Sequence, residues 1–310
     1  QRQTREGDVS LFNRAVVTTL PIVPKPIVRK FSNRYIAGDT IVDAVRTIRE
    51  LEKEGCCATM DILGEHISLK DEATAAVEGY LNALETIHAE GIDSNVSVKL
   101  TQLGLALDPE FCFQNIKTVV EKAKSLNNFV RIDMEEAAHT STTIEIFKRL
   151  RKELNNVGLV VQAYLRRTRA DIRALLEEVK PLNLRLCKGI YIEKRFIAYK
   201  DPQVINYNFT SLLEDLLNGK AYVGIATHDL KLVWQAMHLI DKLRLSKDKY
   251  EFQMLLGVDE ELNRIIVDEG HKLRVYVPFG QHWYAYSVRR LKENPQIAGY
   301  VLQNLFNHKK

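Results

Sequence analysis

Residues 159–191 read LVVQAYLRRTRADIRALLEEVKPLNLRLCKGIY and contain the repeating unit that decides the fold. Two short apolar runs, LVVQAY and LRLCKGIY, flank the amphipathic stretch TRADIRALLEEV. Apolar runs of this length predict buried strands, and the charge pattern between them predicts a helix. A strand, a helix and a second strand in this order predict two parallel strands joined by a helical crossover.

The same alternation continues along most of the chain. The eight apolar runs are ATMDILG (58–64), NVSVKL (95–100), FVRIDME (129–135), LVVQAY (159–164), LRLCKGIY (184–191), VGIATH (223–228), YEFQML (250–255) and LRVYVPFG (273–280). Eight repeats predict an α/β fold of the (β/α)8 TIM-barrel type. A doubly wound sheet is the alternative, but the turn ILGEHIS after the first run lacks the glycines typical of that fold.

The first 55 residues precede this alternation and predict a helical arm. Within them, TIVDAVRTIRELEKEG (40–55) predicts a helix that carries Val42, Val45, Ile48 and Leu51 on one face and ends at Gly55. We therefore expect an N-terminal arm over 1–55 and a barrel over 56–310, as a single domain overall.

Composition excludes several classes of protein. The 310 residues carry 44 Lys and Arg against 40 Asp and Glu, a formal charge of +4, and 45% are hydrophobic. These are globular values, and the interleaved charges do not predict nucleic-acid binding. No apolar run reaches the roughly 18–20 residues of a membrane-spanning helix, and QRQTREGDVS does not resemble a secretory signal. The four cysteines form no CxxC pair and the histidines no metal motif, so we expect a reducing, cytoplasmic location and no metal.

Polar side chains interrupt the apolar runs near their C-terminal ends, where a barrel opens its active site. They are Lys99, Asp133, Gln162, Arg185, Lys188, Thr227, His228 and Tyr276. This set predicts a cation-rich mouth that contains one buried carboxylate. Beyond the last run, HWYAYSVRRLKENP (282–295) adds Arg289 and Arg290 beside three aromatic residues. An arginine pair next to aromatic walls is suited to a small ligand with an anionic group.

At these motifs the chain resembles the proline dehydrogenases. RIDME, VQAYLRRT, RLCKGIY, ATHD, EFQMLLG and RVYVPFGxxWYAYSVRRLKENP follow in the family's order, and the resemblance extends from about Ile36 to the C-terminus. It implies a monofunctional, bacterial-type enzyme with a distorted barrel, non-covalent FAD and a last helix over the barrel mouth. It also implies oxidation of L-proline to Δ1-pyrroline-5-carboxylate, with electrons passed to a membrane quinone. The family often has ATHN where this chain has Asp229.

The resemblance assigns a role to individual residues. Lys99, Arg289 and Arg290 would bind the proline carboxylate, and Asp133 would be the ion partner of Lys99. Glu65 would pair with Arg289 as a gate. The slot around the proline ring would be formed by Tyr191, Leu255, Tyr276 and Tyr286. Arg185 would bond the flavin near N5. The remaining FAD contacts would come from Met134, Gln162, Lys188, Gly189, Ile190, Thr227, His228 and Glu293.

Two other functions are compatible with this pattern. One is a hydroxyproline-oxidising flavoenzyme of the same fold, for which we expect a smaller residue at Tyr276. The other is a non-catalytic proline-binding module, against which the full set of flavin contacts argues. The resemblance further implies peripheral contact with the inner face of the cell membrane and a separate pyrroline-5-carboxylate dehydrogenase as metabolic partner.

Overall fold

The computed structural model describes residues 28–29, 32–64, 67–284 and 286–288. The strands are β1 (Cys57–Ile62), β2 (Ser94–Val98), β3 (Val130–Ile132), β4 (Val157–Gln162), β5 (Asn183–Cys187), β6 (Tyr222–Ala226), β7 (Tyr250–Leu255) and β8 (Leu273–Phe279). The α-helices are α1 (Ile41–Lys53), α2 (Lys70–Glu90), α3 (Pro109–Ser125), α4 (Thr140–Arg151), α5 (Thr168–Glu178), α6 (Pro202–Asn218), α7 (Leu230–Lys242) and α8 (Glu260–Asp268). Short 3₁₀ turns lie at Leu100–Leu103 and Ala137–His139.

The strands form a closed barrel in chain order, in which β8 pairs with β1 in parallel. Each of the eight predicted runs contributes one strand. The predicted barrel is therefore confirmed, and the doubly wound alternative, which leaves open sheet edges, is wrong. Because all the pairings are parallel, every strand delivers its C-terminal residues to the same end of the barrel.

The core lies between the strands and the surrounding helices, and apolar side chains such as Val98, Ile132 and Leu186 are fully buried there. The inside of the barrel is more polar than usual for this fold, in which branched apolar side chains dominate. Arg131, Arg185 and Arg274 are at most 7% exposed. Charged groups this deep require partners, and those partners determine the geometry of the site.

Helix α1 packs on β1 and β8. It buries Ala44 and Ile48, whereas Val42 is 70% exposed, so the prediction that Val42 shares a face with Ile48 and Leu51 is wrong. The reason is geometric, because at about 100° per residue positions 42 and 51 lie roughly 180° apart on a helix. The predicted stop is confirmed by Gly55, which has a left-handed φ of 78°. The division into an arm and a barrel at residue 55 stays a prediction.

Within the described ranges, no helix combines the length and apolar character needed to cross a membrane.

Candidate active site

A cavity of about 570 Å³ opens at the C-terminal end of the barrel. Its walls include every predicted site residue that the structure describes. These are Lys99, Asp133, Met134, Gln162, Arg185, Lys188, Gly189, Ile190, Tyr191, Thr227, His228, Leu255, Tyr276 and Tyr286. The remaining predicted residues, Glu65, Arg289, Arg290 and Glu293, lie outside the described residues. The gate formed by Glu65 and Arg289 therefore stays a prediction. So does the part of Arg289 and Arg290 in the clamp, which is the set of three cations, with Lys99, that would bind the proline carboxylate.

Lys99 lies directly after β2 and is almost buried, with 10% of its side chain exposed. Its Nζ donates to Oδ1 of Asp61 at 2.7 Å and to the hydroxyl of Tyr276 at 3.3 Å. Asp133 is farther away, with 3.7 Å between its Oδ2 and Nζ. The prediction that Asp133 is the ion partner of Lys99 is corrected accordingly: Asp61 is the close partner and Asp133 a second one.

Asp133 instead holds Arg185. Its Oδ1 accepts from Nη1 of Arg185 at 2.8 Å and from the hydroxyl of Ser97 at 2.7 Å. Its Oδ2 accepts from the hydroxyl of Tyr276 at 2.9 Å. Asp133 thus joins β3 to β2, β5 and β8, and it connects the side chains predicted to contact proline and the flavin.

The two buried carboxylates differ in acidity. Burial raises the pKa of Asp61, which Lys99 offsets only in part. Burial also acts to raise the pKa of Asp133, but the charges of Arg185 and Lys99 outweigh it and leave that pKa below its usual range. For Lys99, burial lowers the pKa, but the negative charges of Asp61 and Asp133 outweigh it and leave the pKa well above its ordinary value. Lys99 is therefore a cation and Asp133 an anion at neutral pH.

These pairings change the predicted charge of the mouth. Among the described residues of the cavity wall, the cations Lys99, Arg185 and Lys188 are matched in number by Asp61, Asp133 and Asp229. The predicted single carboxylate and cation excess are therefore wrong for this part of the site. A surplus of positive charge depends on Arg289 and Arg290, which the sequence places just after the last described residues.

Gln162, at the end of β4, lies on a second wall. Its Nε2 donates to the carbonyl of Met134 at 3.1 Å, which fixes the amide orientation. Its Oε1 is buried and has no hydrogen-bond donor within the described part of the chain. A buried acceptor of this kind is costly unless a ligand supplies the donor.

The loops after β5 and β6 meet at a third wall. Lys188 Nζ donates to Oδ2 of Asp229 at 2.7 Å, and Asp229 also begins α7 by accepting from the Lys231 amide. Asp229, the departure from the family's ATHN, thus serves as a helix cap and an ion partner. Gly189 has a φ of 101°, and a Cβ there would lie 2.2 Å from the ring of Tyr164, so only glycine fits. The His228 Nε2 accepts from the Leu255 amide at 2.8 Å, which places the proton of the neutral ring on Nδ1.

Asp61 and Gln253 also line the cavity but were not among the predicted site residues. A signal existed for both, since each interrupts an apolar run, in ATMDILG and YEFQML, as Lys99 and Asp133 do in theirs. Asp61 lies four residues into its run, one position before the end of β1, and is fully buried.

Comparison with known proteins agrees with this arrangement. The family model described as proline dehydrogenase matches residues 44–303. The chain is 37% identical over 275 residues to "Proline dehydrogenase 1" of Bacillus subtilis (strain 168), which covers 88% of this chain and 90% of the relative. It is 33% identical over 305 residues to "Proline dehydrogenase" of Deinococcus radiodurans, which covers 95% and 98% of the two chains.

Among solved structures, proline utilization A (PutA) from Bdellovibrio bacteriovorus, inactivated by N-propargylglycine, superimposes with a TM-score of 0.81 at 25% identity. The match covers 86% of this chain and 33% of that one. A barrel with this cavity, a family match over most of its length and relatives aligned nearly end to end lead to one conclusion: the chain belongs to the proline dehydrogenase family.

Proposed function

We propose that this protein oxidises L-proline to Δ1-pyrroline-5-carboxylate, with non-covalent FAD as the immediate electron acceptor. The observation that carries the proposal is the buried charge network of Lys99, Asp61, Asp133 and Arg185 around the hydroxyl of Tyr276. Through the carboxylate of Asp133, this network connects Lys99, which would bind the substrate, to Arg185, which would face the flavin. The family match supplies the reaction class.

Lys99 would bind one oxygen of the proline carboxylate, and Arg289 and Arg290 would complete the clamp. Since the described wall is charge-balanced, these arginines would provide the net attraction for an anionic group. Asp61 holds the Lys99 ammonium in place, so that binding does not require the side chain to be ordered first.

Tyr276 would close the slot over the proline ring. Burial and the charges of Asp133 and Asp61 hold its pKa well above the ordinary value, so its hydroxyl stays protonated and donates to Asp133. A hydroxyl tied down in this way leaves its ring little freedom to make room for a 4-hydroxyl group. This favours proline over hydroxyproline as the substrate.

The flavin side of the cavity has the donors and acceptors that an isoalloxazine ring requires. Gln162 offers a buried acceptor that has no donor among the described residues, and Arg185 offers a fixed cation. Lys188 and Gly189, which also line the cavity, would contact the rest of the FAD molecule. When bound, FAD supplies the acceptor for the hydride that leaves Cδ, the ring carbon bonded to the proline nitrogen on the side away from the carboxylate. The protein orients the donor and stabilises the charge that develops near Arg185.

The resemblance supports three further proposals about the setting. Electrons would pass to a membrane quinone, the enzyme would contact the inner face of the cell membrane, and a separate pyrroline-5-carboxylate dehydrogenase would consume the product. Turnover of proline with a soluble quinone analogue, compared with turnover in oxygen alone, tests the acceptor. A quinone that does not accelerate reoxidation would contradict it.

The decisive experiment on the main proposal is an absorption spectrum of the purified protein. We expect a yellow protein whose flavin band bleaches when L-proline is added under nitrogen. Lys99→Met, which leaves the flavin side intact, should retain the band but require far more proline to bleach it. A flavin-free protein that binds proline would support the non-catalytic alternative, and preferential bleaching by 4-hydroxyproline would support the hydroxyproline enzyme.

A further inference from the structure

The side chain of Gln253, on β7, lies inside the barrel and is 6% exposed. Its Oε1 accepts a hydrogen bond from Nε of Arg185, and its Nε2 donates to Oε1 of Glu251 at 2.6 Å. Both polar atoms of the amide are therefore used within the protein. Because one partner is a donor and the other an acceptor, the amide has only one favourable orientation.

Glu251, two residues earlier on β7, holds this amide in place. Its Oε1 also accepts from Nε of Arg274 at 2.9 Å, and its Oε2 lies 3.6 Å from Nζ of Lys272. Burial would raise the pKa of Glu251, but Arg274 outweighs burial and lowers that pKa to about 2. Glu251 is therefore a permanent acceptor, and the chain from Arg274 through Glu251 and Gln253 ends at Arg185.

Gly224 leaves the space that this arrangement requires. It lies on β6, opposite Arg185 on one side and Glu251 on the other. A Cβ at this position would lie 2.5 Å from Nε2 of Gln253. The glycine thus makes room for an amide that crosses from β7 toward β5.

Arg185 is held along two edges. Nε donates to Gln253, and Nη1 donates to Asp133 at 2.8 Å and to Ser97 at 3.2 Å. The described residues provide no acceptor for Nη2. A planar guanidinium fixed on two edges has a defined third edge, which remains for a ligand in the cavity.

We propose that Gln253 is a positioning residue, which sets the orientation of the Arg185 guanidinium and through it the rate of hydride transfer. The inference rests on the proposed function, in which Arg185 faces the flavin. It predicts that replacing Gln253 changes the rate of flavin reduction and the flavin midpoint potential. The affinity for proline should depend instead on Lys99 and the arginine clamp.

The test is stopped-flow reduction of the bound flavin by proline, together with the flavin midpoint potential, in Gln253→Met. Methionine matches glutamine in length but offers no hydrogen bond to Arg185. We expect a limiting reduction rate lower by about tenfold or more, the size expected for losing a hydrogen bond to a charged group. We also expect a lower midpoint potential and a proline concentration for half-maximal rate within about threefold of wild type, since the clamp is intact.

Gly224→Ala gives an independent perturbation of the same contact, because its methyl group displaces the Gln253 amide. We expect the same direction of change, and a double variant no more than about threefold slower than the slower single variant, because both changes disrupt one contact. Gln235→Met is the matched control, since Gln235 bonds Thr210 between α6 and α7 and is not part of the cavity wall.

The outcomes separate the two proposals. If proline does not bleach the wild-type flavin, the proposed function is wrong. If the wild type bleaches and both Gln253→Met and Gly224→Ala match its rate and potential, the positioning role is wrong. The positioning role would also be wrong if Gln253→Met changed only the proline concentration for half-maximal rate. The same holds if its reduction rate fell no further than that of Gln235→Met.

Discussion

Replacing Asp61 by asparagine removes the close partner of Lys99 without changing the volume of the side chain. Asp61 is fully buried, and its carboxylate accepts from Nζ at 2.7 Å. Removing one partner of a buried ion pair costs about 3–5 kcal/mol when the other charge is left alone. Lys99 would retain Asp133 at 3.7 Å and the Tyr276 hydroxyl at 3.3 Å, so the loss should be smaller.

We therefore expect Asp61→Asn to lower the free energy of unfolding by about 2–3 kcal/mol, near the value of a hydrogen bond to a charged group. At about 2.1 cal/mol/K per residue, the unfolding entropy of this 310-residue chain is about 0.65 kcal/mol/K, so each kcal/mol moves Tm by roughly 1.5 °C and the shift should be about 3–5 °C. The proline concentration for half-saturation should rise by about tenfold or more, since Lys99 would no longer be held toward the carboxylate of proline. Thermal melts and flavin-bleaching titrations measure both.

Glu153→Gln is the matched control. Lys117 contacts Glu153 at 2.6 Å, nearly the distance of the buried pair, but Glu153 is 60% exposed. This variant should have the same Tm as the wild type, because exposed ion pairs contribute little to the free energy of unfolding. The double variant Asp61→Asn, Lys99→Met removes both charges and should recover part of the stability lost in Asp61→Asn. An Asp61→Asn protein with wild-type Tm and proline titration would refute the reasoning.

Three other predictions concern different parts of the site. Tyr276→Ser should weaken proline and help 4-hydroxyproline, shifting the ratio of their kcat/KM by about tenfold, roughly one kcal/mol or more; an unmoved ratio would show that another wall sets the width. Arg289→Met should raise KM for proline about ten- to a hundredfold with the flavin still bound, and unchanged kinetics would exclude it from the clamp. Because the pKa of Glu251 is lowered to about 2, this carboxylate stabilises the fold above its unfolded pKa, and that stability is lost as pH falls from about 4.5 to 2. Glu251→Gln should flatten this acid limb in chemical unfolding, and a limb of wild-type slope would contradict the assignment.

The architecture of the barrel could be predicted from the sequence because its determinants are local. Each apolar run and each amphipathic stretch records the period of its own element, and eight repeats of this unit close only one common fold. The parallel topology then carries the polar residues at the strand ends to one mouth. For this reason Lys99, Asp133 and Tyr276 could be assigned to one cavity before any contact between them was known.

Pairing within the cavity was decided only by the tertiary structure. The family resemblance paired Lys99 with Asp133, whereas the register of β1 against β2 brings Asp61 beside Ser97 and within reach of Lys99. Asp133 is thereby left to hold Arg185. The strength of an ion pair depends on a distance between side chains of different strands and on their burial, and neither quantity is encoded in a local pattern.

Helix α1 shows a different kind of error. A spacing of three residues identified the helix but misplaced Val42, because at about 100° per residue Val42 and Leu51 lie on opposite sides of it, and packing against β1 and β8 leaves Val42 exposed. The sequence alone determined the barrel, its mouth and the family. The tertiary structure decided which carboxylate serves which cation and that Gln253 lies behind Arg185, because strand register and burial bring these groups together across the barrel.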